Sequence, residues 1–80
     1  MTNIVKKKAQ EKVREQVETY GKIEAKMEYA IVTWTPYASA RMLHEYENTY
    51  HQCPSSENQT RYMQGKIIHQ AILEYYSELN

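Results

Sequence analysis

Phenylalanine is absent from this 80-residue chain, and glycine and proline occur only twice each. So few backbone breakers leave little room for a turn-rich β architecture, because tight turns draw on glycine's positive φ and proline's fixed φ. A single cysteine, Cys53, excludes an internal disulfide and with it the stapled scaffold of small secreted proteins. The longest apolar run, Tyr29 to Val32, falls far short of the ~20 residues that span a bilayer, and the start of the chain lacks the apolar stretch of a signal peptide. The expected location is therefore the cytoplasm, with no membrane partner.

What is present is skewed toward one residue type. Eight tyrosines and one tryptophan make up the aromatic content. A tyrosine carries apolar area with a polar tip that needs a partner, which suits half-buried and contact positions better than a dry core. At 41% hydrophobic and 25% charged residues the chain reads as one globular domain over 1–80. A chain this short buries only about 60–65% of its unfolded surface, so a thin core is expected, and with it self-association as a homo-oligomer.

The formal net charge is zero, yet the charge is split along the chain. Lys6, Lys7, Lys8, Lys12 and Arg14 stand against Glu11 and Glu15, a balance of +3 that leaves −3 for the remainder. This basic arm is a candidate surface for an anion or an acidic partner. A helix that reads duplex DNA normally comes on a clearly positive domain, so duplex DNA is not expected as a partner.

Between Asn3 and Trp34 the apolar residues Val13, Tyr20, Met27 and Trp34 recur seven apart, joined by Val17 and Ile31. That spacing predicts a long amphipathic helix over about 3–33, with a bend near Gly21 and Glu24. Thr35-Pro36 is a helix start, since threonine caps free N–H groups and proline at the first helical position has no N–H to leave unpaired. A second helix is expected over 36–51, with Leu43, Tyr46 and Tyr50 on one side and Arg41, Glu45 and Glu47 on the exposed one. Cys53-Pro54 ends it. Ser56-Glu57-Asn58-Gln59 fits a capping box, with Ser56 as the cap of a third helix over 56–79 that buries Ile68, Ile72, Tyr75 and Leu79. The expected fold is all-α: a long N-terminal helix plus an antiparallel helical hairpin, closed as a three-helix bundle or left as an oligomerising hairpin.

His44, Glu47 and His51 share a face of the second helix, with Cys53 just beyond. No Cys-x-x-Cys or His-Glu-x-x-His pair accompanies them, and one helix face rarely completes a tetrahedron, so no metal or other cofactor is expected. Catalysis is not expected either, because a nucleophile needs a base and an orienting group gathered in a pocket. Arg61, Tyr62 and Lys66 offer better chemistry: two cations and an aromatic on the first turns of the third helix, suited to phosphates and a stacked base.

The corner Cys53-Pro54-Ser55-Ser56, followed by Glu57, resembles the Cys-Pro-x-Ser turn of the phage anti-CBASS cyclic-nucleotide sponges and the related hairpin of anti-Thoeris sponges. The likeness covers roughly residues 34–79. A second register is also similar: Tyr50-His51-Gln52-Cys53-Pro54, then Gln59, Arg61-Tyr62 and Lys66, looks like the family's aromatic-His-x-Pro segment with one extra residue. In the first register the segment ahead of the hairpin is reduced to Trp34-Thr35-Pro36-Tyr37, without the histidine. Those proteins are small, helical and oligomeric, and they sequester immune signalling nucleotides without degrading them.

The resemblance implies a small phage-type anti-defence protein in the host cytoplasm that binds a cyclic oligonucleotide. Tyr37, Tyr50 and Tyr62 would stack on its bases, while Arg61 and Lys66 would meet its phosphates. The alternative is a protein–protein inhibitor or adaptor, anti-CRISPR-like or otherwise regulatory, that uses its long helix or tyrosine face against a host defence protein. A third reading is a helical nucleic-acid-binding regulator led by the Lys6–Arg14 arm.

Overall fold

Thr35 and Pro36 open a helix as their chemistry predicts. The Thr35 backbone is extended and its hydroxyl accepts from the Ala38 N–H at 3.2 Å, with Pro36 as the first helical residue. The computed structural model describes the backbone of residues 2–79 and the side chains of residues 4–79. Among these the chain is all-helical, with α1 over Thr2–Glu18, α2 over Ala25–Thr33, α3 over Pro36–Gln52 and α4 over Ser56–Leu79.

The expected continuous helix over 3–33 is instead two helices that fold back on each other. A straight helix of that length would span about 46 Å, whereas the longest dimension of the chain is 42 Å. Three groups hold the break between Glu18 and Ala25. The buried Gln64 side chain donates to the carbonyls of Val17 and Gly21, both at 3.0 Å. Thr19 Oγ1 donates to the Gln16 carbonyl at 2.6 Å. Glu24 precedes α2 in extended geometry without capping it, and its carboxylate instead meets Arg61 Nε at 2.7 Å and the Tyr46 hydroxyl at 3.1 Å. Tyr20, expected on the buried stripe, lies beyond the end of α1 and is half exposed. The fold-back brings Gln10 against the end of α2, where it donates to the Ile31 carbonyl at 2.8 Å. It also lets Arg14 engage Glu28 through both terminal guanidinium nitrogens.

Helices α3 and α4 run antiparallel. Their contacts pair Tyr50 with Tyr62, Leu43 with Gly65 and Ser39 with His69, so α4 numbers rise as α3 numbers fall. Gly65 is buried against α3, and a Cβ there would sit 3.4 Å from both Leu43 Cδ1 and Tyr46 Cδ2. The core unites all four helices through Val13, Val17, Met27, Ile31, Trp34, Met42, Tyr46, Ile68 and Ile72. Full burial of each such aliphatic side chain contributes about 1.5–3 kcal/mol. Leu79, expected in this stripe, is 49% exposed.

Trp34 ends α2 in the left-handed region at φ 54°, where its N–H donates to the Ala30 carbonyl at 2.8 Å. A tryptophan there is strained on the order of 1 kcal/mol. Its indole is fully buried, set edge-on to Tyr75 with ring centroids 5.8 Å apart, and its carbonyl accepts from the Tyr76 hydroxyl at 2.6 Å. Aromatic packing and that hydrogen bond offset the strained dihedral.

The corner between α3 and α4 corrects the capping assignment by one residue. Ser55, not Ser56, caps α4, its hydroxyl accepting from the Asn58 N–H at 3.1 Å. Asn58 sits where a capping box would place glutamine, and its amide donates to the Cys53 carbonyl at 2.7 Å. Gln59 is one position too late to reach back. The stretch remains a helix–turn–helix corner by its capping chemistry.

Candidate functional site

Just past that corner, α3 and α4 splay around a cleft of about 520 Å³ lined by Tyr50, Gln59, Thr60, Tyr62, Met63 and Lys66. Tyr50 comes from the last turn of α3 and the others from the first three turns of α4. Tyr62 is the centre of the group. Its ring lies 5.7 Å from that of Tyr50 at a 31° tilt, meets His51 edge-on at 6.3 Å, and carries Lys66 Nζ at 4.4 Å from its centroid. Residues 62 and 66 are one helical turn apart, which brings the ammonium over the ring. The Tyr62 hydroxyl donates to Glu47 Oε2 at 3.1 Å. Burial and that carboxylate push its phenol pKa upward.

Of the five residues assigned to a ligand from sequence, three meet here: Tyr50, Tyr62 and Lys66. Arg61 points away, tied to Glu24 Oε2 and donating to Asn58 Oδ1 at 3.0 Å. A side chain one residue from Tyr62 on a helix is turned by about 100°, and that turn carries Arg61 to the α1–α2 connection. Tyr37 lies at the opposite end of α3, where its hydroxyl accepts from Arg41 at 3.1 Å. Thr60, Met63 and Glu47 were not legible as site residues. The signal that finds them is the hairpin register: a three-residue corner sets Glu47 and Tyr50 opposite Tyr62.

The basic arm lies on α1. Lys7, Lys8 and Lys12 are exposed and Lys6 is half-buried. Arg14 is engaged by Glu28, which holds its own pKa up and the Glu28 carboxyl below the usual range. Lys12 lines a groove between α1 and α4 together with Glu74 and Glu78, so part of the arm's charge faces carboxylates of the same chain. Among the described residues no cluster of histidine, cysteine and carboxylate could hold a metal ion. His44 Nε2 contacts Asn48 Nδ2 at 3.2 Å, and Cys53 is free and exposed. Buried Ser39 Oγ lies 2.6 Å from His69 Nδ1 and donates to the Pro36 carbonyl at 3.1 Å. That pair links α3 to α4, with Ser39 buried and His69 half-buried, which is a structural role.

Among the described residues no helix is long and apolar enough to cross a membrane. No family model, curated protein or solved structure matches the chain, so the functional reading rests on the residues of the cleft and on the quoted corner motif.

Proposed function

We propose that the protein is a non-catalytic binder of a nucleotide-class ligand, held in the Tyr50–Tyr62–Lys66 cleft. The observation that carries this reading is the convergence of two tyrosine rings and one lysine at a single cleft edge. Aromatic faces stack on bases with little preference for sequence, contributing about 1–3 kcal/mol per base. The Lys66 ammonium is a flexible point charge suited to a phosphate. Gln59 and Thr60 supply side-chain donors and acceptors for base edges. Lys66 rests on the Tyr62 ring, and by swinging outward it would uncover the ring and meet the phosphate in one movement.

The cleft volume lies within the usual range for small-ligand sites, about 300–1,000 Å³, and suits a single nucleotide unit. A cyclic di- or trinucleotide, the ligand suggested by the corner's resemblance, would therefore present its further units to solvent or to a second cleft. Binding without chemistry is sequestration, which is the anti-defence role that resemblance implies.

Calorimetric titration with cyclic di- and trinucleotides tests the reading. Lys66→Ala is expected to weaken binding about tenfold, the weight of one charge-assisted contact. Arg61→Ala is expected to leave affinity unchanged. Equal affinity of wild type and Lys66→Ala would remove the cleft from consideration.

A further inference from the structure

A second surface stands apart from the cleft, on the outward face of α3 and the neighbouring face of α2. Tyr37 and Tyr29 are 71% and 67% exposed, and Val32 is 59% exposed. Tyr29 and Tyr37 line a groove of about 470 Å³ whose lining combines Ala25, Ala38 and Met42 with the charged Lys26, Arg41 and Glu45. Exposed aromatic side chains beside arginine are the composition of an interface.

The charges on α3 select the occupant. Its outward face reads Tyr37, Ala40, Arg41, His44, Glu45 and Asn48, all exposed. Arg41 hydrogen-bonds the neutral Tyr37 hydroxyl and lies over the same ring, with the Glu45 carboxylate of its own helix acting on it from one turn away. Glu45, one turn on, is paired on one side with Lys26 Nζ at 2.7 Å, and a carboxylate accepts from more than one donor. This pattern is self-complementary. When two copies of α3 pair antiparallel, centred on Leu43, each Arg41 falls opposite the other copy's Glu45 and each Tyr37 opposite the other's Thr49. The small Ala40, within one turn of that centre, lets helix axes approach to about 8–10 Å.

We infer that this face is an isologous dimer interface, in which the α3 helices of two copies pair antiparallel with reciprocal Arg41–Glu45 ion pairs flanked by Tyr29, Val32 and Tyr37. Twofold dimers are the commonest soluble assembly, and reciprocity of the kind Arg41 and Glu45 offer is what a twofold axis demands. An 80-residue chain with a thin core gains most from covering exposed aromatic area. The inference does not rest on the ligand cleft, since Tyr62 and Lys66 take no part in it.

Sedimentation equilibrium over a concentration series reads the result directly. The wild type is expected to shift from 9.5 kDa toward twice that mass as concentration rises. Arg41→Glu and Glu45→Arg each place like charges opposite one another and are expected to weaken dimerisation by about tenfold or more. Mixing the two variants restores attraction at both contacts, so the mixture is expected to form a heterodimer where each alone stays monomeric. Far-UV circular dichroism and the fluorescence of buried Trp34 verify that both variants fold. A wild type that is monomeric at every concentration overturns the inference and assigns the face to a different molecule. A dimer that Arg41→Glu leaves intact, or a mixture that stays monomeric, overturns the antiparallel α3 pairing.

Discussion

Gln64, on α4, reaches across the core and donates its side-chain amide to the carbonyls of both Val17 and Gly21 at 3.0 Å. One buried side chain therefore satisfies the end of a helix 47 residues earlier in the chain and fixes where α1 stops. Gln64→Leu leaves those carbonyls without that donor in the interior. A loss of about 2–3 kcal/mol is expected, measured by urea unfolding followed through Trp34 fluorescence. A loss below about 0.5 kcal/mol would show that the break is held by the local sequence alone.

Arg61 is expected to matter for folding and not for ligand. Its guanidinium links Glu24 to Asn58, joining the α1–α2 connection to the start of α4. Both ends of the ion pair are partly exposed, which limits its worth to about 1 kcal/mol. Arg61→Ala should lower stability by about that amount. If stability were unchanged and nucleotide affinity fell instead, the division of labour between Arg61 and Lys66 would be reversed.

Gly65 separates two opposing effects. Alanine in a helix interior is favoured over glycine by about 1 kcal/mol, and a Cβ at this position meets its neighbours at ordinary contact distance, 3.4 Å and beyond. Gly65→Ala is accordingly expected to be neutral or stabilising by up to about 1 kcal/mol. Gly65→Leu has no space against Tyr46 and Met42, and should cost about 1–3 kcal/mol through overpacking. A thermal melt of each variant distinguishes the two.

Acid should weaken the α1–α2 and α2–α3 contacts. The hydrogen bond from Arg14 holds the Glu28 carboxyl below its ordinary pKa, and the hydrogen bond from Lys26 does the same for Glu45. The folded chain therefore binds fewer protons at these sites than the unfolded chain. Their contribution is complete above the unfolded carboxylate range and is lost as pH falls through the lower folded values. Solvent screening limits each pair to about 0.5 kcal/mol. Stability between about pH 6 and pH 3 should fall less steeply in Glu28→Gln than in the wild type; an unchanged slope would show that the Arg14 pair contributes nothing.

The helical class was legible because its signals are local. Thr35-Pro36 caps with the atoms its sequence promises, and Ile68 and Ile72 are buried one turn apart. An interruption near Gly21 and Glu24 was legible as a bend; that the chain folds back there was not, because Gln64, the side chain that bonds the Val17 and Gly21 carbonyls, lies on another helix. Heptad spacing through Tyr20 pointed the wrong way for the same reason: the phase of a helix is lost when a distant side chain ends it. The run Ile31 to Thr35 concealed a left-handed tryptophan, which a sequence pattern does not mark because only tertiary packing supports it. The contact of Lys66 with the Tyr62 ring follows from their four-residue spacing. Arg61 lies apart from them, against Glu24, because adjacent helical residues point in different directions.

Native mass spectrometry of the purified protein with a panel of cyclic di- and trinucleotides shows whether the Tyr50–Tyr62–Lys66 cleft holds a nucleotide. Wild-type protein is expected to retain nucleotide at fixed stoichiometry and Lys66→Ala to retain less of it; bare protein with every member of the panel would rule the nucleotide reading out.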